Sequence, residues 1–217
     1  MKLTVFGASG GTGTQVVSQA LAAGHEVLAV VRDPARLAVP SRAGLDVAVA
    51  DVMDPGSIRD LVAGREAVIS AVGPSRRKEE RKASAQVQVC TASARSITAA
   101  MAAAGSRRLV VVSASGPFTD GDGPLLRYLA KPIVNRVLEG AFTDFLAMEQ
   151  VVRASGLDWT ILRPPRLTGK PLTGRYRTRR GTNVRRGLTV SRADLAHLVL
   201  AVCGDPDTYR AAIAIAN

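Results

Sequence analysis

Short apolar runs alternate with longer segments of helical spacing along the whole chain. The first run, Lys2–Phe6, ends at glycines, and Val16, Val17 and Ala20 then recur at helical spacing before Gly24. Apolar positions three and four residues apart lie on one face of a helix, and glycine commonly follows a helix end. This start of the chain therefore predicts a strand, a glycine-rich turn and a helix.

The same order of strand and helix repeats through the chain. Strands are predicted at Lys2–Phe6, His25–Val31, Asp46–Ala50, Ala67–Val72, Leu109–Ser113, Trp159–Leu162 and Ala211–Ile215. Helices are predicted at Thr12–Ala23, Ser57–Ala63, Ala83–Ala104, Phe142–Ala154 and Leu195–Val202, the last after a capping box of Ser191 and Asp194. Continuously apolar strands that alternate with helices are typical of a parallel sheet covered on both faces. We therefore expect a doubly wound α/β sheet of the Rossmann type, folded as one domain over residues 1–217.

Residues 164–190 interrupt this order. Every second residue from Arg175 to Arg179 is an arginine, and Tyr176 and Thr178 lie between them. Alternation at period two is typical of a strand and places the arginines on one face of it. We expect a small hairpin here, inserted after the sixth strand on the substrate side of the domain.

The net charge is concentrated in the same region. The chain carries a formal net charge of +11, and ten of its 29 basic residues lie between Arg163 and Arg192, a segment without acidic residues. The excess therefore indicates a site or a solvated surface on one segment, not a property of the fold. Arg76–Lys82 differs because it mixes both signs, and it predicts a solvated loop or helix start.

Composition excludes several classes of protein. A hydrophobic content of 47% is enough for one buried core. No apolar run approaches the roughly 20 residues that span a bilayer, so we expect a soluble cytoplasmic protein. Neither Cys90 nor Cys203 has another cysteine or a histidine at metal-ligand spacing. We expect both to be small buried apolar side chains that form no disulfide and no metal site. His25 and His197 are expected to be structural.

A glycine motif directly follows the first strand and opens the first helix. Glycines let the backbone turn sharply and approach a pyrophosphate, whose charge is met by the N–H groups at the helix N-terminus. The position between a strand and a helix makes this motif specific. It predicts a dinucleotide site formed by Gly7, Ala8, Ser9, Gly10, Gly11, Thr12 and Gly13.

The end of the second strand bears on the choice between NAD and NADP. An acidic residue there would bind the ribose 2′-hydroxyl, whereas an arginine accommodates a 2′-phosphate. Arg32 and Arg36 follow this strand and predict NADP, although a small shift would also bring Asp33 to the ribose. Asp51 and Val52 follow the third strand and are predicted to contact the adenine, with a turn or a helix cap as the alternative.

Together these residues resemble a known group of reductases. The glycine motif, Val30–Asp33, Asp51–Val52, Leu109–Ser113 and Leu162–Pro165 are similar to the atypical short-chain dehydrogenases/reductases with an NAD(P)-binding Rossmann domain. Pro164–Pro165 and Pro171–Tyr176 most resemble the flavin reductase/biliverdin-IXβ reductase group. The resemblance implies a monomeric NADPH-dependent reductase in which Ser113 lies beside the nicotinamide. Gly73 and Pro165 complete the predicted cofactor contacts.

Two features depart from these reductases and from their relatives. The chain has no Tyr-x-x-x-Lys pair, which supplies the proton in carbonyl reduction. Arg166 also stands where the resembling reductases carry a histidine. A flavin or quinone ring is itself a good electron sink and needs less acid from the protein than a ketone does. The missing pair therefore argues against an alcohol dehydrogenase more than against a flavin-type reductase.

The favoured hypothesis is an NADPH-dependent reductase of a planar, anionic acceptor such as a flavin, quinone or tetrapyrrole. Ser113 is its predicted catalytic residue, and Arg166 and Arg175 are its predicted substrate contacts. One alternative is a non-catalytic NADP-sensing regulator of the NmrA-like type. The other is nucleic-acid binding through Arg175–Arg186, which ranks lower because only Tyr176 is interleaved for stacking. We expect a monomer or a weak oligomer.

Overall fold

The computed structural model describes residues 1–74, 88–121 and 131–217. Its strands are β1 Lys2–Phe6, β2 Glu26–Val31, β3 Leu45–Val49, β4 Ala67–Ser70, β5 Arg108–Val112, β6 Asp158–Arg163, β7 Arg166–Thr168, β8 Arg177–Arg180, β9 Thr189–Ser191 and β10 Ala211–Ala216. The main sheet has eight of them in the order β3-β2-β1-β4-β5-β6-β10-β8, and a separate pair joins β7 to β9. The predicted Rossmann-type sheet is confirmed, since every pair in the main sheet except β10 with β8 is parallel.

Helices cover both faces of this sheet. They are α1 Gly11–Ala22, α2 Pro55–Val62, α3 Val89–Ala104, α4 Lys131–Ala154 and α5 Arg192–Cys203. The helices α1 and α5 pack on one face through residues such as Val16 and Leu195. The other face is covered by α2, α3 and α4, through residues such as Ile58, Ile97 and Met148. The doubly wound arrangement follows from strands that are apolar on both sides.

The helices α2 and α5 begin only two and three residues before their predicted starts, whereas the starts of two other helices compare differently. The structure begins α4 at Lys131, eleven residues before the predicted Phe142, and Pro132 is tolerated because it lies in the first helical turn. The described part of the other helix begins at Val89, and residues 83–87 of the prediction lie outside the described residues. The predicted solvated segment Arg76–Lys82 also lies outside them.

The basic segment does not form the predicted hairpin. Its strand β8 pairs antiparallel with β10, with Arg177 opposite Ala216 and Arg180 opposite Ile213. The flanking strands β7 and β9 pair with each other in parallel. The period-two pattern identified a strand correctly, but alternation carries no information about which strand is its partner. The arginines therefore lie along one edge of the main sheet.

A buried carboxylate holds the basic segment against α5. Asp194 is fully buried, and its Oδ1 accepts hydrogen bonds from the N–H groups of Thr173 at 2.8 Å and Gly174 at 2.9 Å. Its Oδ2 accepts from the Ser191 hydroxyl at 2.9 Å, while the Asp194 N–H donates to that same hydroxyl oxygen. Ser191 is thus confirmed as the N-cap, but the predicted capping box is incomplete, because the Ser191 N–H donates to the Asn217 Oδ1 at 3.3 Å and not to Asp194. The Asp194 carboxylate anchors a distant loop instead.

These hydrogen bonds also set the charge state of Asp194. Burial by itself raises the pKa of a carboxyl, but the hydrogen bonds to Asp194 outweigh burial and hold its pKa below the usual value of 3.8. A carboxyl with a lowered pKa in the folded state stabilises the fold at neutral pH. This contribution is lost as the pH falls below 3.8 and through the lowered value.

We expect Asp194→Asn to lower the free energy of unfolding by about 2 to 3 kcal/mol at pH 7, because an amide nitrogen would face donors. The deficit should shrink in acid, where the wild-type carboxyl is also protonated. Urea denaturation at neutral and acidic pH measures both effects. Asp207→Asn is the matched control, since Asp207 is exposed. A deficit that does not depend on pH would contradict the role of the charge.

Candidate functional site

A cleft of about 800 Å³ opens at the carboxyl ends of the parallel strands. Its walls include residues at or just after the ends of β1 to β5, among them Gly7, Arg32, Asp51, Gly73 and Ser113. The sheet order reverses between β1 and β4, since β2 and β3 extend to one side and β5 and β6 to the other. Ligands of open α/β sheets bind at such a switch point.

The glycine motif packs so closely that side chains are excluded at two positions. Gly7 has a φ of +74°, and a Cβ there would lie 2.7 Å from the Ala71 carbonyl oxygen at the end of β4. A Cβ on Gly13 would collide with the Gly7 carbonyl oxygen. The turn is closed by the Gly10 N–H, which donates to the Gly7 oxygen at 3.0 Å. These contacts bring the start of α1 against the edge of the cleft.

The N-terminus of α1 suits an anion. Gly10 is the N-cap, and within the described residues no side chain caps it and no acidic residue occupies the first turn. The first N–H groups of a helix have no partner within the helix and carry its positive dipole end. Ser9, Gly10, Gly11 and Thr12 line the cleft at this point. The donors match the pyrophosphate of a dinucleotide.

The second strand ends with two arginines in the cleft wall. Both Arg32 and Arg36 line the cleft, and Arg32 is exposed. Asp33 also lines it, but its Oδ1 accepts the Ala35 N–H at 3.0 Å and caps the short turn Pro34–Arg36. The Asp33 carboxylate therefore already has a local structural role.

Asp51 and Val52 line the cleft after β3. The Asp51 Oδ1 accepts the Met53 N–H at 3.0 Å, so this carboxylate closes a turn. Asp51 therefore closes a turn, which is the alternative predicted from the sequence, and it also lines the cleft. Gly73 and Pro74 line the neighbouring wall after β4.

The Ser113 side chain lies in the cleft wall and belongs to a buried polar network. Its Oγ donates to the Glu149 Oε1 at 2.8 Å, and its N–H donates to the Leu162 carbonyl oxygen at 2.8 Å. Glu149 is only 3% exposed. Its carboxylate accepts from the Arg163 Nε at 2.9 Å and from a second guanidinium nitrogen of Arg163. Arg153 adds a longer contact at 3.5 Å.

Further contacts fix both members of the ion pair. The Phe118 ring stacks on the Arg163 guanidinium, with 3.3 Å between the ring centroid and Cζ. The buried Asp144 lies on the same helix α4, five residues before Glu149. Its carboxylate accepts hydrogen bonds from the N–H groups of Cys90 and Thr91 at 2.9 Å each. Asp144 thereby docks α4 on the start of α3 and helps to fix Glu149.

The two cysteines are buried, as expected from the sequence. Burial, followed by the nearby Asp144 carboxylate, raises the pKa of the Cys90 thiol far above its usual value. Burial also raises the pKa of Cys203 to about 12. Both side chains are therefore inert thiols at neutral pH. His25 contacts the chain's amino group through its Nδ1, and His197 contacts the Tyr176 hydroxyl at 2.7 Å.

Five predicted site residues are not among the described residues that line the cleft. Ala8 and Gly13 belong to the glycine motif but are buried, Pro165 is partly buried just after β6, and Arg166 and Arg175 are exposed. Residues beside them do reach the cleft. Leu167 follows Arg166 in β7, and Arg192 begins α5 next to the loop that Asp194 anchors.

The sequence interpretation missed Glu149 and Arg163. Arg163 belongs to the Leu162–Pro165 motif, which indicates the resemblance to reductases but no ion pair. Glu149 follows Met148 on the buried face of α4. A charged residue amid an apolar helical face was the available signal, since buried charges are paired.

The described part of the chain has neither a candidate metal site nor a membrane-spanning helix. It holds no group of three or more histidine, cysteine, aspartate or glutamate residues that could bind a metal ion. Among the same residues, no helix is both long enough and apolar enough to cross a membrane.

Three solved structures share this fold over the whole chain. The oxidoreductase ylbE from Lactococcus lactis matches with a TM-score of 0.82 and 18% identity, covering 100% of this chain and 91% of that one. A short-chain dehydrogenase/reductase from Veillonella parvula in complex with NADP matches with a TM-score of 0.82 and 18% identity, covering 100% and 94%. ChuY, an anaerobilin reductase from Escherichia coli O157:H7, matches with a TM-score of 0.78 and 21% identity, covering 100% and 97%. These likenesses show the fold.

A family model described as NAD(P)H-binding matches residues 7–206. The match begins at the glycine motif and extends through the cleft wall to the end of α5. The predicted resemblance to NAD(P)-binding Rossmann proteins is confirmed by this match. The chain belongs to the NAD(P)H-binding family.

Proposed function

We propose that this protein is an NADPH-dependent reductase that transfers hydride to a planar acceptor of the flavin, quinone or tetrapyrrole type. The observation that carries the proposal is one continuous cleft that joins the glycine motif to the buried network at Ser113. A dinucleotide laid along this cleft would have its pyrophosphate at α1 and its reactive end near Ser113. The arrangement supports redox chemistry at the β5 end.

The arginines of the β2 end support NADPH over NADH. Arg32 and Arg36 line the same wall, where the ribose next to the adenine lies in dinucleotide-binding folds. A guanidinium binds a phosphate through charge-assisted hydrogen bonds. Asp33 uses its Oδ1 in a local turn, which leaves the arginines as the better matched partners of this ribose.

Bound NADPH would supply the hydride. The glycine motif would hold the pyrophosphate, and the Ser113 side chain would position the reacting ring. The chain has no Tyr-x-x-x-Lys pair, which is compatible with an acceptor ring that stabilises the added electrons itself.

The rim of the cleft beside β7 and the start of α5 carries arginines, which supports an anionic acceptor. Arg166 precedes the cleft residue Leu167, and Arg175 follows Gly174, whose N–H is fixed by Asp194 near the start of α5. We assign Arg166 and Arg175 to acceptor binding at this rim. The strand β8 runs away from it, because Arg177 pairs with the last residue of β10 and Arg180 with Ile213 further back.

The activity itself is tested by NADPH oxidation in the presence of FMN, FAD, quinones and linear tetrapyrroles. We expect turnover with at least one of these acceptors and slower turnover with NADH. Tight NADPH binding without turnover of any acceptor would contradict the reductase and favour a sensor. Salt-dependent DNA or RNA binding without NADPH oxidation would favour the nucleic-acid alternative.

Arg32→Ala should weaken NADPH binding roughly tenfold or more, because a charge-assisted contact with the 2′-phosphate contributes about 1.5 to 3 kcal/mol. NADH binding should change little. Calorimetric titration of both cofactors measures the difference. Arg42→Ala is the matched control, since Arg42 is an exposed arginine just before the amino end of β3 and is not among the cleft-lining residues. Equal losses for NADPH and NADH would exclude the phosphate contact.

Ser113→Ala should lower kcat while NADPH affinity is largely kept, because the hydroxyl orients the reacting ring and the remaining cofactor contacts persist. Steady-state kinetics and cofactor titration separate the two quantities. The matched control is Ser93→Ala, which removes another buried hydroxyl that donates to the carbonyl oxygens of Val89 and Cys90 within α3. An unchanged kcat with every accepted acceptor would remove Ser113 from the site.

A further inference from the structure

The Ser113 hydroxyl has a single proton, and the structure directs it away from the cleft. Its Oγ donates to Glu149 Oε1 at 2.8 Å. Glu149 forms an ion pair with Arg163, and an ion-paired carboxylate can only accept hydrogen bonds. The donor of this pair is therefore fixed as Ser113. What its oxygen can still offer to the cleft is a lone pair.

The surroundings prevent the opposite arrangement. Glu149 is held by two nitrogens of Arg163, and Arg163 is itself stacked on Phe118. The Glu149 Oε1 accepts two hydrogen bonds, one from the Arg163 Nε and one from the Ser113 hydroxyl. Turning the Ser113 proton toward the cleft would remove one donor from the Glu149 carboxylate, which is 3% exposed. The free-energy cost of a lost hydrogen bond is larger for a buried charged group than for a neutral one.

We propose that Glu149, held by Arg163, is a positioning residue that fixes Ser113 as a hydrogen-bond acceptor toward the cleft, and that Ser113 binds an N–H group there. This inference rests on the proposed function. Two molecules can supply the N–H group: the carboxamide of the nicotinamide, or a heterocyclic acceptor with a ring N–H, such as a flavin. In either case Ser113 does not donate a proton to the acceptor, and simple ketones, which offer no N–H, are poor ligands at this position.

Paired probes that differ by one N–H test the proposal through binding alone. The first pair is NADP and its acetylpyridine analogue, in which a methyl group replaces the carboxamide NH2. The second pair is a flavin and its N3-methyl derivative. Wild type should bind the N–H member of one pair roughly three- to tenfold more tightly than the other member. The pair that shows the preference identifies the source of the N–H group.

Ser113→Ala should abolish this preference, bringing the ratio close to one. Glu149→Gln should reduce it to about twofold or less, because the amide NH2 can donate to Ser113 and turn the hydroxyl toward the cleft. A ratio of two affinities does not change through a loss of stability alone. Asp158→Asn is the matched control, since Asp158 is also paired with an arginine, Arg107, but lies at the amino end of β6 and is not among the cleft-lining residues, so this variant should keep the wild-type ratio. If Glu149→Gln does not fold, the double variant Glu149→Leu with Arg163→Met replaces it, since it removes the carboxylate without leaving an unpaired buried charge. It should also lower the ratio, because Ser113 then has no carboxylate to donate to.

Absence of a preference in both wild-type pairs, or the same preference in Ser113→Ala, would overturn the inference about Ser113. A wild-type ratio in Glu149→Gln, or in the double variant where that replaces it, would overturn the positioning role of Glu149. Failure of the proposed function is a different result, because NADP would then not bind, or NADPH would bind without turnover of any acceptor. The titrations together with the NADPH oxidation assay therefore distinguish the two failures.

Discussion

The buried ion pair between Glu149 and Arg163 is the interaction on which the reactive half of the cleft depends. It joins the helix α4 to the end of β6, and it reaches β5 through the Ser113 hydroxyl. Burying two charges costs several kcal/mol for each ion unless their geometry and remaining hydrogen bonds are good. Here the guanidinium binds through two nitrogens and stacks on Phe118, while the carboxylate also accepts from Ser113. Besides any contribution to the stability of the fold, the ion pair therefore holds the Ser113 side chain in place in the cleft wall.

The nucleotide half of the cleft depends on a different constraint, the close approach of backbone segments. Gly7 and Gly13 have no room for a Cβ, and this closeness aims the first turn of α1 into the cleft. An anion bound there would be met by backbone donors, whereas the β2 end offers the guanidinium groups of Arg32 and Arg36. The two halves thus differ in what they offer a ligand. One offers a helix end and arginines to a charged group, and the other offers a hydroxyl that is held by a buried network.

The features that local patterns encode could be predicted from the sequence. The glycine motif lies between a strand and a helix that both occur, and the parallel sheet follows from strands apolar on both faces. Partners distant in sequence could not be predicted in the same way. The strand β8 pairs with β10, more than 30 residues further along, and period-two alternation is silent about that choice. Glu149 meets Ser113 only because α4 folds back over β5, which no spacing within either segment encodes.

The most direct measurement of the central claim follows deuterium from NADPH labelled at C4 of the nicotinamide into the acceptor product. A ring held between the α1 end and the Ser113 wall presents one face to the acceptor. The account predicts that deuterium placed on one face is transferred, with a slowed rate, and that deuterium on the opposite face is retained in NADP. Transfer from both faces alike, or NADPH binding with no transfer at all, would contradict it.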